Sequence, residues 1–294
     1  MGSPRNGLPT RALVLGGGGA VGVGWQTGLL TGLREAGVDL AGAEAIIGTS
    51  AGAFVGALLS SGRDVTGALT SLAALGQSID PGALAAGDEA FLSARRQASL
   101  DTDPQQALRA IGRAAKEAST PAEDVYLGLF GALDDAAWPA GFRCTAIDTE
   151  TGDLVVWDQG SGVPLLDAVA SSCSIPMLFP AVTIKGRHYM DGGILSPLNA
   201  TAAPPTDVLL VLSCQPLGPQ GAGAGSARAA SAAASDAELA QLRATRRLLA
   251  VGPDFSDIEA PANMMDPNRV IQAFRIGQRQ AAGEAAAIQA AWNR

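Results

Sequence analysis

The stretch IIGTSAGAFVG, residues 46–56, places a serine between two glycines directly after a short aliphatic run. Residues 45–47 predict a buried strand, and residues 50–59 predict a helix. In the pattern Gly-x-Ser-x-Gly, the glycines leave room for a strained turn that presents the serine hydroxyl at the head of a helix. The stretch therefore predicts a strand, a sharp turn and a helix, with Ser50 as a candidate nucleophile at the turn.

The same order of elements occurs once before, near the start of the chain. Residues 11–15 predict a strand, residues 16–19 a glycine loop and residues 26–35 a helix. Two successive units of this kind predict parallel strands joined by right-handed crossovers, which is an α/β fold. Further strands are predicted at 143–147, 154–157, 182–184 and 207–212.

Pairs of glycines recur four residues apart on both predicted helices. Gly28 and Gly32 lie on the first helix, and Gly52 and Gly56 lie on the second. A glycine costs about 1 kcal/mol in a helix interior, so we hypothesise that these faces pack closely against a helix or the sheet. The alternative explanation is the general bias of this chain toward Ala and Gly.

The rest of the chain predicts one domain over residues 11–294, preceded by a flexible N-terminus at residues 1–10. Residues 64–140 are mostly helical in pattern and predict an inserted helical region, in which Asp101, Thr102 or Asp103 would cap a helix before Pro104. Residues 218–235 have almost no large side chains and predict a flexible surface loop. Residues 267–292 carry an apolar stripe and predict a C-terminal helix docked on the sheet.

Composition and charge narrow the class of protein. The net charge is −8, and the sequence contains no Lys/Arg-rich block. Both features argue against nucleic-acid binding and allow at most transient contact with a membrane surface. The three cysteines have neither a disulfide nor a metal-ligand spacing, and no metal site is predicted. Without a signal core or a run of about 20 apolar residues, we expect a cytoplasmic protein.

A serine nucleophile needs a group that takes its proton. The only histidine, His188, lies three residues before Asp191 on a predicted strand, so the two side chains point to opposite faces. This disfavours a Ser–His–Asp triad and leaves Asp191 as the candidate that contacts Ser50 directly. The alternative for Asp191 and the two glycines after it is a plain Asp-Gly turn. The glycine loop at 17–19 would supply unhindered N–H groups for a developing oxyanion.

Taken together, the motifs resemble those of patatin-like phospholipases. The glycine loop GGGGAVG at 16–22, GTSAG at 48–52 and DGG at 191–193 occur in that family's order, and ASSCSIP at 170–176 is similar to its Ala-Ser-x-x-x-Pro element. The resemblance spans roughly residues 11 to 215. It implies a three-layer α/β/α fold and a lipid or fatty-acyl ester hydrolase that uses no metal ion and no organic cofactor.

The resemblance also implies a role for each motif residue. Ser50 would be the nucleophile and Asp191 the proton acceptor, and together they would form a Ser–Asp dyad. The N–H groups of Gly17, Gly18 and Gly19 would form the oxyanion hole. The remaining glycines of the motifs support their geometry: Gly22, Gly48, Gly52, Gly192 and Gly193.

Two alternatives remain open. Val21 occupies the place where the family commonly has Arg or Lys, which makes a catalytically silent scaffold of the same fold conceivable. Residues 17–22 also match G-x-G-x-x-G, the pattern of a dinucleotide-binding loop, which requires an acidic residue at the end of the second strand. Asp39 and Glu44 both precede that strand. The residues do not distinguish hydrolysis from acyl transfer to another acceptor.

Overall fold

The computed structural model describes residues 10–67, 69–70, 81–98, 100–101, 103–215, 217, 226–255 and 264–292. Its strands are β1 (Arg11–Leu15), β2 (Ala45–Thr49), β3 (Phe142–Asp148), β4 (Leu154–Trp157), β5 (Val182–Ile184), β6 (Arg187–Asp191), β7 (Val208–Leu212) and β8 (Arg247–Val251). Its helices include α1 (Gly19–Glu35), α2 (Ala51–Ser60), α3 (Pro81–Ala98), α4 (Pro104–Glu117), α5 (Glu123–Leu127), α6 (Leu165–Cys173), α7 (Ser226–Arg243) and α8 (Val270–Trp292).

The strands form one eight-stranded sheet whose hydrogen-bonded neighbours run β5-β6-β3-β2-β1-β7-β8, with β6 and β2 pairing with successive parts of one edge of β3 and β4 pairing with its other edge. From β3 to β8 along this order all pairs are parallel, whereas β4, β5 and β6 run antiparallel to their neighbours. Along β1, Leu13 and Leu15 join a core with α1, α2, α6 and α8, while Ala12 and Val14 join a core with α7 on the other face. The predicted α/β fold with three layers and a mainly parallel sheet is confirmed.

Glycines bring α1 and α8 into backbone contact. A Cβ added at Gly28 would overlap the carbonyl of Phe274, and one at Gly32 would lie 2.6 Å from the Cβ of Ala281. Gly277 of α8 meets the backbone of α1 in the same way. The close approach depends on glycine on both helices, so the hypothesis of close packing is confirmed for this pair.

The second glycine pair faces the sheet. A Cβ at Gly52 would overlap the carbonyl of Leu15 at the end of β1, and one at Gly56 would lie 3.0 Å from the ring of Phe142. These positions let α2 lie directly on β1 and β3. The hypothesis is therefore confirmed for α2 as well.

The structure corrects two predictions about elements and adds one strand that was not predicted. Helix α1 begins at Gly19, not at residue 26, because packing of Gly24 against the carbonyl of Val270 outweighs the helix cost of glycine. Strand β8 was not predicted, since it lacks a clear alternation and is defined by its parallel pairing with β7. Residues 226–235, predicted as flexible loop, form the start of α7, because alanine favours helix.

Other predicted segments are placed as follows. Helices α3, α4 and α5 lie within the predicted helical region, and Asp103 caps α4 by accepting a hydrogen bond from the N–H of Gln105 at 2.9 Å. The C-terminal helix begins at Val270, after a 3₁₀ turn at Pro267–Arg269. Residues 1–9 and 218–225 lie outside the described residues. No helix in the described part of the chain has the length and apolarity that crossing a bilayer requires.

Candidate active site

The register of β3 brings Ser50 and Asp191 together. Residues 142–145 of β3 pair with β2, and residues 146–148 pair with β6, while β4 occupies the opposite edge. Strands β2 and β6 therefore share one edge of β3 and meet end to end. Ser50 follows the last residue of β2, and Asp191 is the last residue of β6, so both lie at this meeting point.

Ser50 occupies a strained turn between β2 and α2. Its backbone has φ 54° and ψ −121°, a combination that a residue with a side chain adopts only when its surroundings enforce it. Two neighbours make the turn this tight: a Cβ at Gly48 would overlap the backbone of Gly52 and Ala53. Gly48 is thus required by the turn itself, whereas Gly52 is required by the contact of α2 with the Leu15 carbonyl of β1.

Asp191 is a buried carboxyl group, 3% exposed, beside Ser50. Its Oδ1 accepts a hydrogen bond from the N–H of Gly193 at 2.7 Å. Burial raises the pKa of Asp191 from 3.8 to about 7, while its interactions with the Ser50 hydroxyl and the Gly193 N–H lower it. The turn requires Gly192 as well, because a Cβ there would lie 2.5 Å from the Oγ1 of Thr145.

The glycine loop offers fewer N–H donors than predicted. The N–H of Gly17 donates to the carbonyl of Pro197 at 2.7 Å, so it is already paired, contrary to the prediction that it is free to donate to an oxyanion. The N–H groups of Gly18 and Gly19 make no hydrogen bond to any described residue. They lie at the start of α1, where the helix dipole favours negative charge. Gly22 leaves room for Cys214, because a Cβ added at position 22 would lie 2.8 Å from the Sγ of Cys214.

A buried asparagine that sequence reasoning missed connects the parts of the site. The Nδ2 of Asn199 lies 3.2 Å from Thr49 Oγ1, 3.3 Å from Thr145 Oγ1 and 3.0 Å from the carbonyl of Gly192. These groups belong to the end of β2, to β3 and to the turn after β6. Asn199 itself has φ 43°, in the left-handed region that Asn tolerates better than most residues. Its side chain therefore ties the strand ends that carry Ser50 and Asp191.

The remaining sequence candidates lie elsewhere or carry no charge. His188 pairs with Thr183 of the outer strand β5. Its side chain is half-buried, and its Nδ1 has no partner among the described residues. Val21 is fully buried in the core and supplies no cation. Glu44 forms an ion pair with Arg11 at the start of β2, at the opposite end of the strand from Ser50.

The chain is similar to known proteins at the level of both family and sequence. The family model Patatin, described as patatin-like phospholipase, matches residues 13–204. The uncharacterized NTE family protein Rv1063c of Mycobacterium tuberculosis is 30% identical over 190 residues, which is 65% of this chain and 44% of that protein. A second protein of the same organism, the uncharacterized NTE family protein Rv2565, is 31% identical over 188 residues, or 64% and 27%. The chain thus spans less than half the length of these curated relatives.

Among solved structures, VipD from Legionella pneumophila aligns with 97% of this chain and 70% of its own, at 14% identity and a TM-score of 0.42. The family match covers more than half of the chain and includes the glycine loop, Ser50 and Asp191. The chain therefore belongs to the patatin-like phospholipase family.

Proposed function

We propose that this chain is a serine lipid acyl hydrolase of the phospholipase A type, acting through a dyad of Ser50 and Asp191. The observation that carries the proposal is the juxtaposition of a strained serine with a buried carboxyl group whose pKa is raised to about 7. A carboxylate with an ordinary pKa is a poor base for a hydroxyl group. With a pKa near 7, the same carboxylate is a stronger base and suits general-base catalysis at neutral pH.

In the proposed reaction, the Ser50 Oγ attacks the acyl carbonyl while Asp191 takes its proton. The negative charge that develops on the carbonyl oxygen would be stabilised by the N–H groups of Gly18 and Gly19 at the start of α1. The protonated Asp191 then gives its proton to the departing alcohol, leaving an acyl group on Ser50. Water, deprotonated by Asp191, hydrolyses this acyl-enzyme and restores the dyad. No metal ion or organic cofactor enters the scheme.

The substrate class follows from family membership, since the family is named for phospholipases. We propose a carboxylic ester of a lipid, with an apolar acyl chain. One candidate wall for that chain is α3, where Gly87 lies against Leu178 and Met177. Release of the acyl group to an acceptor other than water would use the same acyl-enzyme and the same residues.

The second candidate function, a catalytically silent scaffold, is favoured by one observation. Val21 is buried and apolar where the family commonly carries a cation, so anion stabilisation would depend on backbone N–H groups alone. A dinucleotide-binding role receives less support, because Glu44 is engaged by Arg11 at the far end of β2. Both alternatives predict a serine without enhanced reactivity.

Intact mass measurement after exposure to a serine-directed fluorophosphonate tests the proposal. We expect one adduct on the wild type, no adduct on Ser50→Ala and slower labelling of Asp191→Asn. A labelled wild type would then be assayed on phospholipids and on water-soluble esters. A folded wild type that remains unlabelled would contradict the proposal and favour the silent scaffold.

A further inference from the structure

The end of α6 contacts the backbone of both members of the proposed dyad. The Oγ of Ser172 accepts a hydrogen bond from the N–H of Ser50 at 3.0 Å. The thiol of the next residue, Cys173, donates to the Ser50 carbonyl with an S···O distance of 3.1 Å. The carbonyl of Ser174 accepts a hydrogen bond from the N–H of Asp191 at 2.9 Å. Three consecutive residues thus hold two residues that are far apart in the chain.

This contact falls where the backbone needs support. Ser50 has a positive φ that its own side chain disfavours, and such a conformation persists only when neighbouring contacts enforce it. Its carbonyl is shared with the N–H groups of Ala53 and Phe54 in α2. The N–H of Ser50, by contrast, donates to the hydroxyl of Ser172 among the described residues, and this hydroxyl is fully buried.

The segment itself is held firmly. The hydroxyl of Ser174 donates to the carbonyl of Pro180 at 2.7 Å, which fixes the turn that follows α6. Burial raises the pKa of the Cys173 thiol well above its ordinary value, and the charge of Asp191 raises it further. The thiol therefore stays protonated and remains a hydrogen-bond donor. Burial of Ser172 and Ser174 leaves little room for either side chain to move.

We propose that Ser172, Cys173 and Ser174 form a positioning segment that fixes the separation of Ser50 and Asp191, with Ser172 as its principal positioning residue. The proposal rests on the function proposed above, because it assigns a role within that reaction. None of the three residues is assigned a proton transfer or a contact with the substrate. Their effect is to keep the Ser50 hydroxyl within reach of the Asp191 carboxylate, a distance to which catalysis is sensitive.

The adjacent residue supplies a matched control. Ser171 is as fully buried as Ser172 and lies on the same helix. Its Oγ accepts a hydrogen bond from Trp157 Nε1 at 3.1 Å and donates to the carbonyl of Ala168 at 2.7 Å. Ser171→Ala therefore removes a buried hydroxyl of the same size without touching Ser50 or Asp191.

The experiment compares wild type, Ser172→Ala and Ser171→Ala by urea unfolding, by the rate of fluorophosphonate labelling and by kcat and KM on p-nitrophenyl butyrate. We expect Ser172→Ala to lower the labelling rate and kcat by about 10- to 100-fold with KM nearly unchanged, since a 1 Å misplacement alone can cost about 100-fold. We expect Ser171→Ala to stay within about threefold of the wild-type kcat at a similar loss of stability.

Cys173 gives a second pair of variants, independent of how well Ser172→Ala folds. Cys173→Ser keeps a donor for the Ser50 carbonyl, whereas Cys173→Ala removes it, so only the alanine variant should lose kcat. Equal kcat losses in Ser172→Ala and Ser171→Ala, or equal kcat in the two Cys173 variants, would overturn the proposal. An unlabelled wild type would instead overturn the proposed function, so the two failures are distinguishable.

Discussion

Replacing Asp191 by Asn is expected to stabilise the fold at neutral and alkaline pH while it abolishes ester hydrolysis. The carboxyl group is 3% exposed, and burial raises its pKa from 3.8 to about 7. Folding therefore costs free energy whenever this group must be charged. Asparagine has nearly the same shape and keeps an oxygen that accepts the hydrogen bond from the Gly193 N–H, but it does not ionise. The variant therefore loses the proposed general base and also avoids the free-energy cost of a buried charge.

The magnitude follows from the difference between the folded and unfolded pKa values of Asp191. Because the folded value is the higher one, the stability that the protonated group contributes is fully present below about pH 4 and is lost as the pH rises through about 7. Each pKa unit corresponds to about 1.36 kcal/mol, so the whole change is about 4 kcal/mol. Between pH 5 and pH 8, the expected loss in the wild type is about 3 kcal/mol.

The assay is urea unfolding of wild type and Asp191→Asn in parallel at pH 5, 6, 7 and 8. Burial also raises the pKa values of Asp88 and Asp167, but both proteins contain these groups, so the difference between the two curves isolates Asp191. We expect the variant's advantage in free energy of unfolding to grow by about 3 kcal/mol from pH 5 to pH 8. A difference that does not change with pH would refute the assignment of a raised pKa to Asp191.

Three further results are expected. In the wild type, kcat/KM for a soluble ester should rise about tenfold per pH unit below 7 and level off above it, since only ionised Asp191 accepts a proton; a flat profile would count against a carboxylate base. Gly52→Ala should destabilise the protein by several kcal/mol in thermal unfolding, because the new Cβ would overlap the Leu15 carbonyl. Gly283→Ala should instead stabilise α8 by up to about 1 kcal/mol, because a Cβ at this position meets no neighbouring atom of the described residues. Asn199→Gly, which preserves the left-handed backbone, should still cost about 1–3 kcal/mol in urea unfolding because Thr49 and Thr145 lose a buried partner; no loss would mean that the side chain is dispensable.

The sequence predicts those parts of the fold and site that local pattern determines. Aliphatic runs locate the β1 and β2 strands, and the glycines around Ser50 predict a tight turn because a side chain there has no space. Asp191 could be singled out by the absence of a suitable histidine and by the order of motifs. The strand and turn inferences use residues that are neighbours in the chain, whereas the choice of Asp191 uses the residue types and motif order of the whole sequence.

The parts that could not be predicted depend on contacts between distant segments. Nothing near Asn199 in the sequence marks it as the partner of Thr49 and Thr145, because those residues lie on two other strands. The Gly17 N–H is lost as a donor only because the Pro197 carbonyl reaches it. The pKa of Asp191 likewise depends on burial, which is a property of the folded chain.

The backbone contact between α1 and α8 has a consequence for the order in which this molecule is built. Helix α1 carries the N–H groups of Gly18 and Gly19 at its start, and its glycines at 24, 28 and 32 pack closely against α8. During synthesis, the glycine loop and Ser50 leave the ribosome before most of the sheet, whereas α8 emerges after the last described strand. Contacts of such large sequence separation form late and slow the folding of a domain. Until α8 has emerged and docked, α1 lacks the helix against which its glycines pack, so the start of α1 is not yet held in its final place.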